Sequence, residues 1–162
     1  IYATGFEWMA TATFNQVIGR HGQSLSEKWE QGGTRTFLGL HSEGFPNLFI
    51  VSGPQGGGGS FNFTDAIDQH GDYIVWMLDT LKAERADVVD VDAEAEQRYA
   101  EHCRLADEQT RPLRDCITYY NGHGEAEAGS LAYYGGGRWH KIRERAQASL
   151  EPYRFERRTS AT

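Results

Sequence analysis

Cysteine is scarce in this sequence, and long apolar runs are absent. Only Cys103 and Cys116 among the 162 residues are cysteines, and their spacing fits no common metal-binding motif. Two cysteines without a recognisable secretory signal favour a reducing compartment, so a cytoplasmic location is expected. No apolar run approaches the roughly 20 residues that cross a bilayer, and we therefore expect no membrane partner.

Positive charge is also in short supply. The 16 Lys and Arg residues face 23 Asp and Glu residues, which gives a formal net charge of −7. Nucleic acid selects basic surfaces, so no nucleic-acid partner is expected. The histidines show no metal-ligand spacing with cysteines or acids, and we expect no metal site. Aromatic residues are plentiful, with 4 Trp, 8 Tyr and 8 Phe, enough for the packed core of one domain.

The first 51 residues predict short extended segments joined by irregular chain. Residues 1–6 form an apolar run closed by glycine, which is typical of a strand end and suggests a piece of a longer protein. SLSEKWE predicts a short helical turn capped by Ser24 or Ser26. Residues 34–40 predict a strand or hairpin arm. The continuous apolar run of residues 48–51 predicts a central strand covered on both faces.

The rest of the chain predicts three helices joined by loops. The first is amphipathic, covers residues 61–85 and begins at Asn62 or Thr64, and its Gly71 suggests close packing. The second, DAEAEQRYAEHCRLADEQT, begins at residue 90 or 92 after the short extended segment VVDV. The third lies in RWHKIRERAQASLEPYRFE and stops at Pro152. The strands are too few for a complete sheet, so the pattern indicates half of a layered α/β arrangement.

The most informative unit is a strand, a glycine loop and a helix: NLFIVSG, PQGGGGS and FNFTDAIDQH. A helix N-terminus presents free backbone N–H groups and a positive dipole end, which suits an anion or a polar ring edge. The glycines of residues 56–59 would let a flat ligand approach the backbone. The unit is neither a G-x-G-x-x-G nor a Walker motif, so a floppy surface loop or a linker fits GGGGS equally well.

Several motifs, in order, resemble the C-terminal part of class B flavin monooxygenases, most closely the Baeyer–Villiger monooxygenases. They are ATGF in residues 3–6, GFPNLF in residues 44–49 followed by GP, and N-x-x-x-A-I-D-Q-H in residues 62–70. RDCITYYNGH is similar to the family's mobile control loop. Asp68 stands where the family usually has Glu. The resemblance covers essentially the whole chain and favours a native loop over a linker.

The resemblance implies a fold, a domain plan and a set of cofactors. The fold would be the C-terminal portion of a Rossmann-like FAD-binding domain, with central strand(s) plus three helices and an incomplete sheet on its own. Residues 1–6 would be an interdomain strand, residues 44–84 the strand, glycine loop and helix at the flavin, and residues 110–135 the control-loop-like segment. The cofactors would be FAD and NADPH.

The family's other motifs are missing from this chain. Both G-x-G-x-x-G motifs, the F-x-G-x-x-x-H-x-x-x-W signature and the catalytic Arg with its Asp partner would lie upstream. The complete enzyme would convert ketones to esters or lactones. We expect this chain alone to be inactive and to need the N-terminal dinucleotide-binding part, in the same or a separate chain.

The resemblance also implies a set of site residues, none of them catalytic. Those expected at a cofactor are Thr4, Gly5, Gly53, Pro54, Gln55, Asn62, Phe63 and Ile117. Those expected in the substrate pocket are Gly58, Gly59, Ser60 and Phe63. Many relatives carry a Trp that touches NADP at the Ile117 position, and Tyr119 or Tyr120 is the alternative contact. Gln69 and His70 are expected to be helix-packing residues.

Two other functions remain open from the sequence. The chain could be a non-catalytic binding or scaffold module, or half of a split enzyme that needs a partner chain. It could also belong to an N- or S-oxygenating flavin monooxygenase.

Overall fold

The computed structural model describes residues 12–56, 62–110 and 139–157, and all structural statements below concern these ranges. They contain five helices and two strands. In chain order these are α1 (Ala12–Gln16), α2 (Leu25–Gly32), α3 (Phe63–Ala83), β1 (Val88–Val91), α4 (Ala93–Thr110), α5 (Trp139–Gln147) and β2 (Tyr153–Glu156). None of these helices is both long enough and apolar enough to cross a membrane.

Local capping signals fix the starts of three helices. The Ser24 side chain accepts a hydrogen bond from the Glu27 N–H at 3.2 Å, and the Glu27 carboxylate accepts from the Ser24 N–H at 2.8 Å. This reciprocal capping box begins α2 and confirms the first of the two predicted caps. Asn62 caps α3 through the Thr64 N–H at 3.1 Å. Asp92 accepts from the Glu94 N–H at 2.8 Å at the start of α4.

The buried face of α3 leaves several of the helix's apolar residues outside the core. Its buried residues are His70, Tyr73, Met77 and Leu81, at helical spacings of three and four. Apolar Ile67, Val75 and Leu78 lie on the neighbouring face, with exposures of 38%, 60% and 46%; we call these three residues the exposed strip. Gly71 is exposed, and a Cβ there would meet no atom of the described residues within 4 Å, so the predicted close packing is not found among them.

The predicted central strand at residues 48–51 is not a strand in the described structure. Asn47 and Ser52 bracket it with φ angles of 58° and 56°, which turn the chain sharply at both ends. The Ile50 N–H donates to the Leu40 carbonyl at 2.8 Å, but no strand ladder forms. A short apolar run becomes a central strand only when neighbours pair along both of its edges.

Of the two alternatives predicted for residues 34–40, a strand or a hairpin arm, the structure favours the hairpin arm. Phe37 and His41 form an isolated antiparallel bridge. Leu38 and Gly39 between them have φ angles of 59° and 71°, the left-handed conformation typical of hairpin turns. The turn projects Leu38 and Leu40 into the core, where both are fully buried.

The two strands form an antiparallel pair, of which the sequence predicted β1 as an extended segment but not β2. The register pairs Val88 with Glu156 and Val91 with Tyr153, so the extended VVDV is confirmed as β1. The third helix was expected to reach Pro152 but ends at Gln147. A turn closed by the Tyr153 N–H and the Leu150 carbonyl at 3.0 Å follows it, and the chain then enters β2.

The main core lies between the residue 37–41 hairpin, α3, α4 and the strand pair. It consists of Phe37, Leu38, Leu40, Tyr73, Met77, Leu81, Val89, Val91, Ala95, Tyr99, Cys103 and Tyr153. A smaller cluster packs α2 against the following loop through Leu25, Trp29 and Phe45. The hairpin and α3 both contact residues 52–56.

Candidate functional site

Residues 52–56 form a compact turn that follows the apolar run of residues 48–51. We call it the 52–56 turn. The Gly53 N–H donates to the Ile50 carbonyl at 3.2 Å, and the Gly56 N–H donates to the Gly53 carbonyl at 3.1 Å. Ser52 and Gln55 both have positive φ angles, of 56° and 64°. Two consecutive tight turns therefore fold this segment back on itself, and only non-local contacts can hold such a conformation.

The side chain of Gln55 points into the protein and ties the turn to residues 34–36. Its Oε1 accepts hydrogen bonds from the backbone N–H and the Oγ1 of Thr36, both at 3.0 Å. Its Nε2 donates to the Thr34 carbonyl at 3.1 Å. The Gln55 carbonyl accepts from the Tyr99 hydroxyl at 2.8 Å. A ligand at the 52–56 turn would therefore meet its backbone and Gly53 rather than the Gln55 amide.

Glycines bring the hairpin and the turn into direct backbone contact. A Cβ at Gly39 would lie 2.0 Å from the Gly56 Cα, and a Cβ at Gly53 would lie 2.5 Å from the Gly39 carbonyl oxygen. Such distances are far below van der Waals contact. Packing thus explains Gly39, Gly53 and Gly56 without a ligand.

His70 of α3 bonds to both ends of the 52–56 turn. Its Nδ1 accepts from the Ser52 N–H at 3.1 Å, and its Nε2 donates to the Gly56 carbonyl at 3.3 Å. The ring is neutral, with its proton on Nε2, because a backbone N–H can only donate and a carbonyl can only accept. Burial lowers the pKa of His70 and so favours the same neutral form, as does the nearby Arg143 cation.

Two buried polar atoms beside this connection have no hydrogen-bond partner in the described part of the chain. They are the Ser52 Oγ, on the turn, and the Gln69 Oε1, next to His70 on α3. The amide nitrogen of Gln69 donates to Asp65 at 2.6 Å, so the side chain is held on one side only. Buried polar groups are nearly always paired, and these two atoms are therefore available to a partner outside the described residues.

The N-terminus of α3 is the second component of the site. Asn62 Oδ1 accepts from the Thr64 N–H at 3.1 Å and from the Thr64 Oγ1 at 2.6 Å. Phe63, the first helical residue, is 65% exposed. A helix of 21 residues directs the positive end of its dipole at this point, where negative charge is stabilised.

Comparison with known proteins identifies the family. A scan against models of protein families gave no match. A Baeyer–Villiger monooxygenase of Penicillium patulum is 34% identical to this chain over 136 residues, covering 78% of the chain and 22% of that relative. The chain belongs to the Baeyer–Villiger monooxygenase family.

Two further similarities extend this result. A phenazine N-monooxygenase of Lysobacter antibioticus is 29% identical over 159 residues, covering 94% of this chain and 28% of that relative. A solved structure of an oxidized steroid monooxygenase bound to NADP matches with a TM-score of 0.75 and 28% identity, covering 87% of this chain and 26% of that one. The chain thus spans about a quarter of the length of the relatives it matches. The resemblance stated from its motifs is confirmed, and so is the α/β class.

Five of the residues that the Baeyer–Villiger motifs predicted for the site lie in the described part of the chain. Gly53, Pro54 and Gln55 lie in the 52–56 turn, and Asn62 and Phe63 begin α3. His70, which bonds to the turn at Gly56, lies on α3 seven residues after Phe63. The other predicted site residues lie outside the described ranges: Thr4, Gly5, Gly58, Gly59, Ser60, Ile117, Tyr119 and Tyr120. Most of the control-loop-like segment, residues 110–135, also lies outside them.

The sequence did not predict the residues that support the 52–56 turn. Thr36 and Tyr99 bond to Gln55 from 19 and 44 residues away, and no local pattern links such positions. Gly39 lacked a motif of its own. His70 did carry a signal, because its spacing to Tyr73 and Met77 places it on their helical face.

A second buried histidine in this Baeyer–Villiger homologue lies in the main core. His41 Nε2 is 3.0 Å from the Tyr73 hydroxyl, which is 2.7 Å from the Tyr153 hydroxyl. The chain of three side chains connects the hairpin, α3 and β2. Burial lowers the pKa of His41 to about 3 and raises the pKa values of both tyrosines, so all three groups are neutral at pH 7.

Mild acid is expected to destabilise the folded chain through His41. Its folded pKa of about 3 lies below the unfolded value of about 6.5, so the unfolded state binds the proton first. The stabilisation is complete above pH 6.5 and is lost as the pH falls, by about 2 kcal/mol between pH 6.5 and 5. His70 acts in the same direction. Urea unfolding of the chain at several pH values measures the slope.

The control for this pH dependence is His41→Phe, which keeps a ring in the core and removes the titrating group. Its unfolding free energy should vary less with pH between 6.5 and 5 than that of the parent chain. Equal slopes in the two proteins would show that His41 is not the group responsible.

Proposed function

We propose that this chain is the C-terminal portion of an FAD- and NADPH-dependent Baeyer–Villiger monooxygenase that converts ketones to esters or lactones. The chain would complete a Rossmann-like FAD-binding domain. One observation carries the proposal: in a chain 34% identical to a Baeyer–Villiger monooxygenase, His70 ties the 52–56 turn to the N-terminal half of a long helix. The catalytic groups would lie in the remaining part of the enzyme.

The residues at the 52–56 turn fit a flavin. The buried Ser52 Oγ has no hydrogen-bond partner in the described part of the chain, and a flavin ring offers both donors and acceptors at its polar edge. Gly53 is only half-buried, so part of its backbone is open to a planar ring. We assign Ser52, the Gly53 backbone and the Asn62 end of α3 as the groups that would hold FAD. The bound flavin would supply the activation of O2.

The protein's own contribution would be orientation and electrostatics. The N-terminus of α3 stabilises negative charge on a ring that faces it. The exposed Phe63 offers an apolar surface to a ketone and excludes water from its carbonyl. The fixed 52–56 turn sets where the ring lies relative to both.

The exposed strip indicates a partner surface on this chain. Ile67, Val75 and Leu78 are between 38% and 60% exposed on one side of α3, and an exposed apolar face commonly marks an interface. We assign its cover to the dinucleotide-binding part of the same enzyme, in the same or a separate chain. The chain alone would then neither hold flavin nor react.

The test compares this chain alone with the complete enzyme that contains it. The complete enzyme should be yellow, release FAD on denaturation, and oxidise NADPH faster when a ketone is added. Mass spectrometry should find a product heavier than the ketone by one oxygen atom. The chain alone should be colourless and inactive. A complete enzyme that folds but contains no flavin would contradict the proposal and favour a non-catalytic binding module.

A second candidate function is N-oxygenation. The phenazine N-monooxygenase match covers 94% of this chain, more than the Baeyer–Villiger match does. The same enzyme should therefore be offered an aromatic nitrogen heterocycle in parallel. An N-oxide product, with no ester or lactone from any ketone, would select this function over the first.

A further inference from the structure

Both ring nitrogens of His70 bond α3 to the 52–56 turn. His70 is fully buried. It bonds to Ser52 at the first residue of the turn and to Gly56 at its last residue. One side chain therefore fixes both ends of a five-residue segment, and it does so from a rigid helix.

The two bonds restrain the backbone of the 52–56 turn, including that of Ser52 and Gly53. Ser52 has a left-handed backbone with a φ angle of 56°, which is unfavourable for a residue other than glycine. The bond from its N–H to His70 Nδ1 holds it there. That conformation determines where the unpaired Ser52 Oγ lies. The same restraint sets the backbone of Gly53.

We propose that His70 is a positioning residue for the flavin, which it never touches. It holds the 52–56 turn so that the Ser52 Oγ and the Gly53 backbone keep the geometry that contacts the ring. This inference rests on the proposed function, because it assumes that FAD lies against the turn. The sequence predicted His70 only as a helix-packing residue, and the inference gives it the role of positioning the turn.

The two ring nitrogens can be tested separately with isosteric amides. His70→Asn places an oxygen near the position of Nδ1 and keeps the acceptor for the Ser52 N–H. His70→Gln places its amide group near the position of Nε2 and keeps the donor for the Gly56 carbonyl. His70→Leu removes both bonds while it fills much of the volume. His102→Leu is the matched control, since His102 is an exposed histidine of α4.

The experiment titrates the apo form of the complete enzyme with FAD and follows the quenching of flavin fluorescence. His70→Leu should raise the dissociation constant for FAD about tenfold or more, since it leaves the Ser52 N–H and the Gly56 carbonyl unpaired. His70→Asn and His70→Gln should each recover part of the loss. His102→Leu should bind FAD like the parent. Far-UV circular dichroism checks that each variant is folded.

A second readout does not depend on flavin binding. Nitrogen NMR of the histidines should show His70 protonated on Nε2 and unprotonated on Nδ1 at neutral pH. The opposite tautomer, or a charged ring, would overturn the inference, because Nδ1 could not then accept from Ser52.

The results separate this inference from the proposed function. If the parent enzyme binds no FAD, the proposed function fails and the positioning role fails with it. If the parent binds FAD and folded His70→Leu binds it equally well, only the positioning role is wrong. If the Asn and Gln variants bind FAD no better than the Leu variant, FAD binding does not depend on the two ring bonds, and the inference is again overturned.

Discussion

Replacing Lys28 with Met is expected to destabilise the chain by about 3–5 kcal/mol. Lys28 of α2 donates to both carboxylate oxygens of Glu96, at 3.1 and 2.9 Å, and to the Glu43 carbonyl at 2.7 Å. The two charged side chains are only 10% and 4% exposed. Removal of the ammonium group leaves the Glu96 carboxylate buried without its counter-ion.

The rest of this cluster cannot replace the lost charge. Glu96 also accepts from the Ser42 Oγ at 3.2 Å and from the Glu43 N–H at 2.9 Å. These neutral donors compensate the carboxylate only in part. The cluster joins α2, the loop before residue 44 and the first turn of α4, so its loss loosens three segments together.

Urea unfolding of the chain measures the effect, with two comparisons. Lys82→Met removes an ammonium group from the exposed pair with Asp79, where the side chains are 78% and 67% exposed, and should change stability little. The double variant Lys28→Met/Glu96→Leu should be more stable than Lys28→Met alone, because no unpaired charge stays buried. If Lys28→Met costs no more than Lys82→Met, the buried pair does not contribute as described.

Replacing Gly39 with Ala is expected to cost more than about 3 kcal/mol. A Cβ there would lie 2.0 Å from the Gly56 Cα and 2.2 Å from the Gly56 nitrogen. Both atoms belong to the backbone, so no side-chain rotation can relieve the overlap. The hairpin and the 52–56 turn would have to move apart, and the Gln55 and His70 bonds would weaken with them.

Gly22→Ala is the control that separates steric overlap from backbone strain. Gly22 and Gly39 have similar φ angles of 75° and 71°, but a Cβ at Gly22 would meet nothing within 4 Å. Its replacement should cost only the left-handed strain of about 1 kcal/mol. Thermal and urea unfolding compare the two variants with the parent. Similar losses of stability in both variants would show that contact with Gly56 is not the reason why residue 39 must be glycine.

The candidate site could be predicted where its signals are local. The motif reading named Gly53, Pro54, Asn62 and Phe63, and the structure places them in one turn and one helix start. It also named Gln55, whose side chain turns inward to Thr36 and Thr34. The direction of that side chain depends on partners about 20 residues away, which no local pattern encodes.

By itself the sequence determined the features that depend on neighbours within a few residues. The capping box of Ser24 and Glu27, the Asn62 cap of α3 and the family motifs follow from short spacings, because a helix satisfies its own backbone hydrogen bonds. Only the tertiary structure decided the rest. Residues 48–51 lack a strand ladder and Tyr153–Glu156 gains one, since a strand exists only through its partner. The task of His70 was decided in the same way, because its ring bonds to residues 14 and 18 positions earlier.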